Sequence, residues 1–114
     1  MRVAIRRRGH YLSYREPARE LIKGRLVYFN QFYGFAFNRI AVKNHRRRLG
    51  SCSKKGNLNF NYKIYFLPPE LRDYVIVHEL CHLGQFNHSK SFWELVARTV
   101  PDHKERAREI RKYF

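Results

Sequence analysis

His78, Glu79 and His82 stand in the order and spacing HExxH, and His88 follows six residues later. Histidines four apart on a helix project from one face, one turn apart, near enough for both imidazoles to bind one Zn²⁺. A carboxylate at the second position of such a helix reaches a water activated by the metal and takes its proton, the task of a hydrolytic general base. The spacing therefore specifies a chemistry, metal-assisted hydrolysis.

Six histidines and nine acidic residues in 114 can produce HExxH by accident, so the surroundings carry the argument. Pro68, Pro69 and Glu70 make a helix start, and Leu71, Tyr74, Val75, Val77, Leu80 and Cys81 then recur at helical spacing as an apolar face. Two histidines and a glutamate on so apolar a helix would bear a desolvation cost that metal binding removes.

Catalytic zinc usually takes three protein ligands and leaves the fourth position for water. His78 and His82 supply two, and the third is open between His88, Glu94, Asp102 and Glu105. Asp102 and Glu105 also read as a capping box, and Glu94 as an exposed helix residue, whereas His88 competes only with loop solvation. His88 is therefore favoured, with a left-handed turn near Gly84 expected to bring it back toward the metal. Three neutral imidazoles leave the metal its full charge, so a bound water would ionise near pH ~7 rather than ~15.7. His103, Tyr113 and Arg106 are the candidates for a second donor to the oxyanion, and nothing in the sequence ranks them.

The elements that must hold this segment follow from periodicity and punctuation. Residues 3–5 read as a short strand. Pro17 opens a long amphipathic helix carrying Ala18, Leu21, Ile22, Leu26, Phe29, Phe32 and Tyr33, which ends near Gly34. Residues 40–42 and 47–49 read as short strands, and residues 58–66 as a longer one after a turn at Lys55, Gly56 and Asn57. In that last strand Leu58, Phe60, Tyr62 and Ile64 alternate with Asn59, Asn61 and Lys63, the pattern of a sheet with one buried face. As an edge strand above the metal it would offer free backbone groups to an extended peptide, with Asn59 and Asn61 otherwise facing solvent. Ser89 is an N-cap for a helix with Phe92, Trp93, Leu95 and Val96, and Asp102 with Glu105 starts a last helix running to about Tyr113. Helix, small mostly antiparallel sheet, then helices is an α+β order.

A chain of this length supports one domain, residues 1–114, and 44% hydrophobic residues with 16% aromatics are enough for its core. No run approaches the length of a membrane span, and the N-terminus passes from Met1 to Arg6, Arg7 and Arg8 without the apolar stretch of a signal peptide. The expected compartment is cytoplasmic, where Cys52 and Cys81 are reduced thiols used for packing. The net charge of +15 attracts polyanions, which makes nucleic acid a candidate partner, although a solvated basic surface explains the same composition. The aromatics between Tyr28 and Phe37 are interleaved with charge, but their spacings also suit a buried helix, which is favoured over a base-stacking platform.

Taken together, several segments carry a family likeness: Gly50, Ser51, Cys52 and Ser53 with Lys55 and Gly56; residues 74–83 reading YVIVHELCHL; Asn87, His88 and Ser89 with Phe92 and Trp93; and Pro101 and Asp102 with Lys104. On these the chain resembles the YgjP-like metallopeptidases, relatives of the SprT and WLM groups, from about Arg39 onward. The resemblance implies a zincin-like fold, His78, His82 and His88 as zinc ligands, and Glu79 as catalytic acid and base. Leu49 stands where the family usually has tryptophan, and His103 where it has a tyrosine. Many relatives also carry a longer β-rich N-terminal part that is missing here, which leaves substrate selection open.

The first functional reading is thus a zinc-dependent peptidase acting on a peptide or protein. A second is a nucleic-acid-associated protein, with a structural zinc or with proteolysis of bound proteins in the SprT manner. Glu79 separates the structural version, because a structural site needs no base and closes its fourth position with a protein ligand. A third is hydrolysis of a non-peptide amide, which the same chemistry permits.

Overall fold

The computed structural model describes residues 7–114; the strand expected at residues 3–5 lies outside them. Helix α1, Arg8–Asn30, buries Ala18, Ile22, Leu26 and Phe29, spaced four, four and three apart. It begins nine residues before Pro17, which sits inside it. Proline there removes a hydrogen bond and costs about 3 kcal/mol or more, so the upstream turns depend on tertiary contacts. His10 Nδ1 meets the Tyr62 hydroxyl at 2.8 Å, Tyr11 donates its hydroxyl to the Val42 carbonyl at 2.9 Å, and Tyr14 packs edge-on to Phe66. The helix stops where Asn30 brackets the Phe35 backbone, accepting from its N–H at 2.9 Å and donating to its carbonyl at 2.7 Å, with Gly34 at φ 73° between them.

Three strands follow: β1 Arg39–Lys43, β2 Gly50–Cys52 and β3 Asn57–Asn61. The sheet order is β1-β3-β2, with β3 parallel to β1 over five residue pairs and antiparallel to β2 over three. The architecture is α+β as expected, but the sheet is mixed rather than mostly antiparallel, and β3 is its central strand rather than an edge. The hairpin between β2 and β3 closes at Gly56, whose φ of 82° and N–H bond to the Ser53 carbonyl at 2.9 Å make the turn.

Asn61 accounts for two further departures. It is fully buried rather than facing solvent. Its amide nitrogen donates to the carbonyls of His45 at 2.9 Å and Arg48 at 3.0 Å, which holds residues 45–48 as an irregular loop and moves the strand expected at 47–49 to Gly50–Cys52. Its side-chain oxygen accepts from the Lys63 N–H at 3.1 Å and so ends β3. The chain then turns into a 3₁₀ helix, Tyr62–Phe66, where the sequence pattern predicts more strand.

Helix α2, Pro69–Cys81, starts on its prolines as expected and is buried along nearly its whole surface. It packs against α1, β2, α3 (Lys90–Thr99) and α4 (His103–Ile110). Arg25 of α1 ties to Asp73 of α2 through two bonds of 3.0 Å, a planar pairing of guanidinium and carboxylate. Ser89 caps α3 by accepting from the Phe92 N–H at 3.3 Å. The capping box expected for α4 does not form: Asp102 stands at the N-cap but turns its carboxylate to Arg106 Nε at 2.8 Å. Among the described residues no helix is long and apolar enough to cross a membrane.

Replacing Asn61 by leucine strands two loop carbonyls and one N–H, each at the cost of an unmet buried bond. Asn61→Leu is expected to lower unfolding free energy by about 2–4 kcal/mol in chemical denaturation. A change under about 0.5 kcal/mol would show that the loop does not need this bridge.

Candidate metal centre and active site

The last turns of α2 place His78 and His82 one turn apart on the face that looks toward the start of α3. After Cys81 the helix tightens, with the Gly84 and Gln85 N–H groups both reaching the Cys81 carbonyl at 3.1 Å. Gly84 is not in the left-handed region, contrary to expectation. Its lack of a side chain serves a close approach instead, since a Cβ there would lie 2.6 Å from the Phe35 ring. The chain then turns back through residues 85–88 and brings the His88 ring beside the other two.

Each of the three imidazoles offers a ring nitrogen, and these atoms lie within 4.8 Å of one another. His82 Nδ1 donates to the Gln85 carbonyl at 3.0 Å, which leaves its Nε2 with a lone pair. That Nε2 lies 3.1 Å from His88 Nε2. Tetrahedral zinc with Zn–N bonds of ~2.0–2.1 Å separates its nitrogens by about 3.3 Å, so this pair stands close to the spacing a shared ion needs. Burial pushes the His82 imidazole below its ordinary value, against the pull of the Gln85 carbonyl, and a neutral ring is the form that binds metal. The donor set therefore fits a divalent ion of the zinc type.

Phe92 is the floor of this arrangement. Fully buried in α3, it stacks on His82 at 4.4 Å between ring centres and meets His78 and His88 edge-on, each at 5.1 Å. Trp93, next along the helix, stacks on His88 at 5.8 Å. The Ser89 cap thus does more than start a helix, because it fixes where both rings stand.

Glu79 is 5% exposed, with Oε2 3.3 Å from His78 Nδ1. Space for it is made by Gly50 of β2. A Cβ at that position would lie 2.9 Å from Glu79 Cγ and 2.9 Å from the Asn59 carbonyl oxygen. Gly50, His78 and Glu79 line two neighbouring cavities, one toward Cys52, Phe86 and His88 and the other toward Leu49 and Tyr74. Tyr74 precedes His78 by one turn, and burial pushes its phenol up, so it stands there as a hydroxyl donor at neutral pH.

His78, Glu79, His82 and His88 are thus brought together. The rival third ligands are not: Asp102 pairs with Arg106, Glu105 lines a groove with Pro68 and Tyr113, and Glu94 lines a cavity between α3 and α4. Of the three candidate oxyanion donors, Arg106 is spent on Asp102 and the Glu70 carbonyl, Tyr113 lies in the groove beside Pro68, and His103 stacks on Trp93 at 4.9 Å. Cys52 and Cys81 are both free thiols, Cys81 buried and pushed up to about 11 by that burial. The roles of Gly50 and Phe92 escape sequence reasoning, which can register a residue type but not what lies within 3 Å of it.

The crowding at Gly50 includes backbone, which cannot rotate away. Gly50→Ala is accordingly expected to cost about 1–3 kcal/mol of stability, the range for overpacking. Denaturation at the wild-type midpoint would contradict the tight fit of Glu79 against β2.

Comparison with known proteins gives the same direction. The fold matches the metallopeptidase zymogen of Pyrococcus abyssi abylysin with a TM-score of 0.71 and 24% identity, covering 80% of this chain and 93% of that one. It also matches the zymogen of Methanocaldococcus jannaschii jannalysin, with a TM-score of 0.64 and 23% identity, covering 83% and 94%. At such identity these likenesses speak for the fold alone. No curated protein matches the sequence. The model of the YgjP-like metallopeptidase domain matches residues 4–113, nearly the whole chain, and the protein therefore belongs to that family of metal-dependent peptide hydrolases.

Proposed function

We propose that the chain is a zinc-dependent peptidase in which His78, His82 and His88 hold the metal and Glu79 is the general base. The observation that carries this reading is the convergence of three imidazole nitrogens beside a carboxylate that is almost fully buried. Bound zinc would supply a Lewis acid that polarises the scissile carbonyl and lowers the pKa of water.

The remaining work falls to the protein. Glu79 takes a proton from the attacking water and delivers it to the leaving amine, and its burial between α2 and Gly50 keeps it aimed at one place. Gln85 holds His82 in the tautomer that presents Nε2. Phe92 keeps the three rings from rotating and keeps water from their inner side. Tyr74 lines the cavity over His78 and Glu79, and its hydroxyl is the oxyanion donor of this reading.

Substrate pairing moves from β3 to β2. Strand β2 lies at the edge of the sheet, and Gly50, Ser51 and Cys52 line the cavity over the three histidines. Its outer backbone groups are therefore the ones that an extended peptide can join.

Three proteins test the assignment: wild type, Glu79→Gln and His88→Ala. The expected outcome is about one zinc per chain in the first two, loss in the third, and cleavage of unstructured peptides by wild type alone, with Glu79→Gln slower by ~10³-fold or more. Chelation should abolish wild-type cleavage and added zinc restore it. Full zinc retention by His88→Ala would contradict its place as a ligand, and undiminished cleavage by Glu79→Gln would contradict a general base at that carboxylate.

A further inference from the structure

Helices α3 and α4 line, with Tyr74 of α2, an open cleft of about 680 Å³ that the chemistry at the histidines does not use. Its floor is apolar, formed by the rings of Tyr74 and Trp93 with Ala97 and Ala107. Its rim is cationic: Lys90 from the start of α3, Lys104 and Arg108 from α4 and Arg111 at its C-cap, against the single carboxylate of Glu94. Lys104, Arg108 and Arg111 recur four and three residues apart, so they run along one helical face. None of these four cations forms an ion pair among the described residues.

The cavity begins one ring away from the histidines. Tyr74 lines both this cavity and the one over His78 and Glu79, with its ring 5.9 Å from that of His78. Trp93 lines it while stacking on His88. A ligand seated here is therefore within a residue or two of anything held at the three imidazoles.

From this the geometry points to a substrate subsite that takes an acidic stretch of peptide, an apolar side chain against the floor and carboxylates at the rim, beside the scissile bond. The inference rests on the peptidase reading and names the substrate class for that same site. Its volume lies in the range of about 300–1,000 Å³ typical of ligand clefts, which is room for more than one residue. Unpaired cations around an apolar floor reward a peptide that brings both kinds of group and repel a basic one. Nucleic acid is the weaker fit to this cavity. Base stacking needs a free aromatic face, and the Trp93 ring, stacked on by His88 and His103, offers the cleft only its edge, which suits an apolar side chain better than a base.

The test uses three blocked hexapeptides that share a central phenylalanine and differ in the two residues after it, Glu-Glu, Gln-Gln or Lys-Lys. Binding to zinc-loaded Glu79→Gln protein is read by calorimetry and by fluorescence of Trp93, the single tryptophan of the chain, and wild type is assayed for cleavage of the same peptides. The acidic peptide is expected to bind at least about tenfold more tightly than the Gln-Gln peptide at low salt, with the gap narrowing at about 0.5 M salt. Lys104→Glu with Arg108→Glu should reverse the order in favour of the Lys-Lys peptide. The charge-matched pair Arg19→Glu with Lys23→Glu, on α1, should leave the order as it was.

Equal binding of the three peptides, an acidic preference indifferent to the Lys104 and Arg108 reversals, or displacement of the acidic peptide by a thymidine octanucleotide would each overturn the inference. Cleavage of all three peptides with no charge preference would overturn it alone and leave the peptidase standing. Charge-selective binding with no cleavage of any peptide would sink the peptidase reading and the subsite with it.

Discussion

Burial of Glu79 and His82 on the helix that also fills the core is the constraint around which the rest of the molecule is arranged. Within thirteen residues and its C-cap, α2 must supply Leu71, Val75, Ile76, Val77 and Leu80 to the interior and still present His78, Glu79 and the capping His82. Polar groups so placed are costly unless each finds a partner. His82 has the Gln85 carbonyl and the His88 ring, and Glu79 has His78. A shared cation would replace the single contact between His82 and His88 with a bond to each imidazole.

Around that helix, each neighbouring element contributes one thing the site requires. Strand β2 contributes the absence of a side chain at Gly50, so that the carboxylate can lie against the sheet. Helix α3 contributes Phe92, which touches all three imidazoles, and its Ser89 cap sets the register of that ring. Helix α1 contributes rigidity at a distance, through the Arg25–Asp73 pairing and the aromatic contacts of His10, Tyr11 and Tyr14. Pro17 survives inside α1 for the same reason, since the turns on both sides of it are pinned by packing.

Sequence spacing made the histidine and glutamate group legible, because a helix converts a four-residue interval into a shared face without reference to anything else. The proline start of α2 and the Ser89 cap were legible for a similar local reason. Pairing was not. Whether β3 is central or an edge depends on where β1 returns, and no alternation of apolar residues records that. Asn61 illustrates the limit best: its type suits a solvent-facing strand position, yet it is buried and organises a loop sixteen residues earlier in the chain. Gly84 shows the same ambiguity for glycine, where a left-handed turn and a close approach leave one signature.

In the proposed site three imidazoles and no other protein group hold the metal, which leaves a position open beside Glu79. X-ray absorption at the zinc edge on the zinc-loaded protein is the sharpest check of that ligand set. Three nitrogen scatterers at ~2.0–2.1 Å are expected, with the multiple scattering of imidazole, one further light scatterer, and no sulfur. A sulfur shell near ~2.3 Å would bring Cys52 into the site, and a closed set of four protein ligands would make the zinc structural; either result is incompatible with a three-histidine hydrolase.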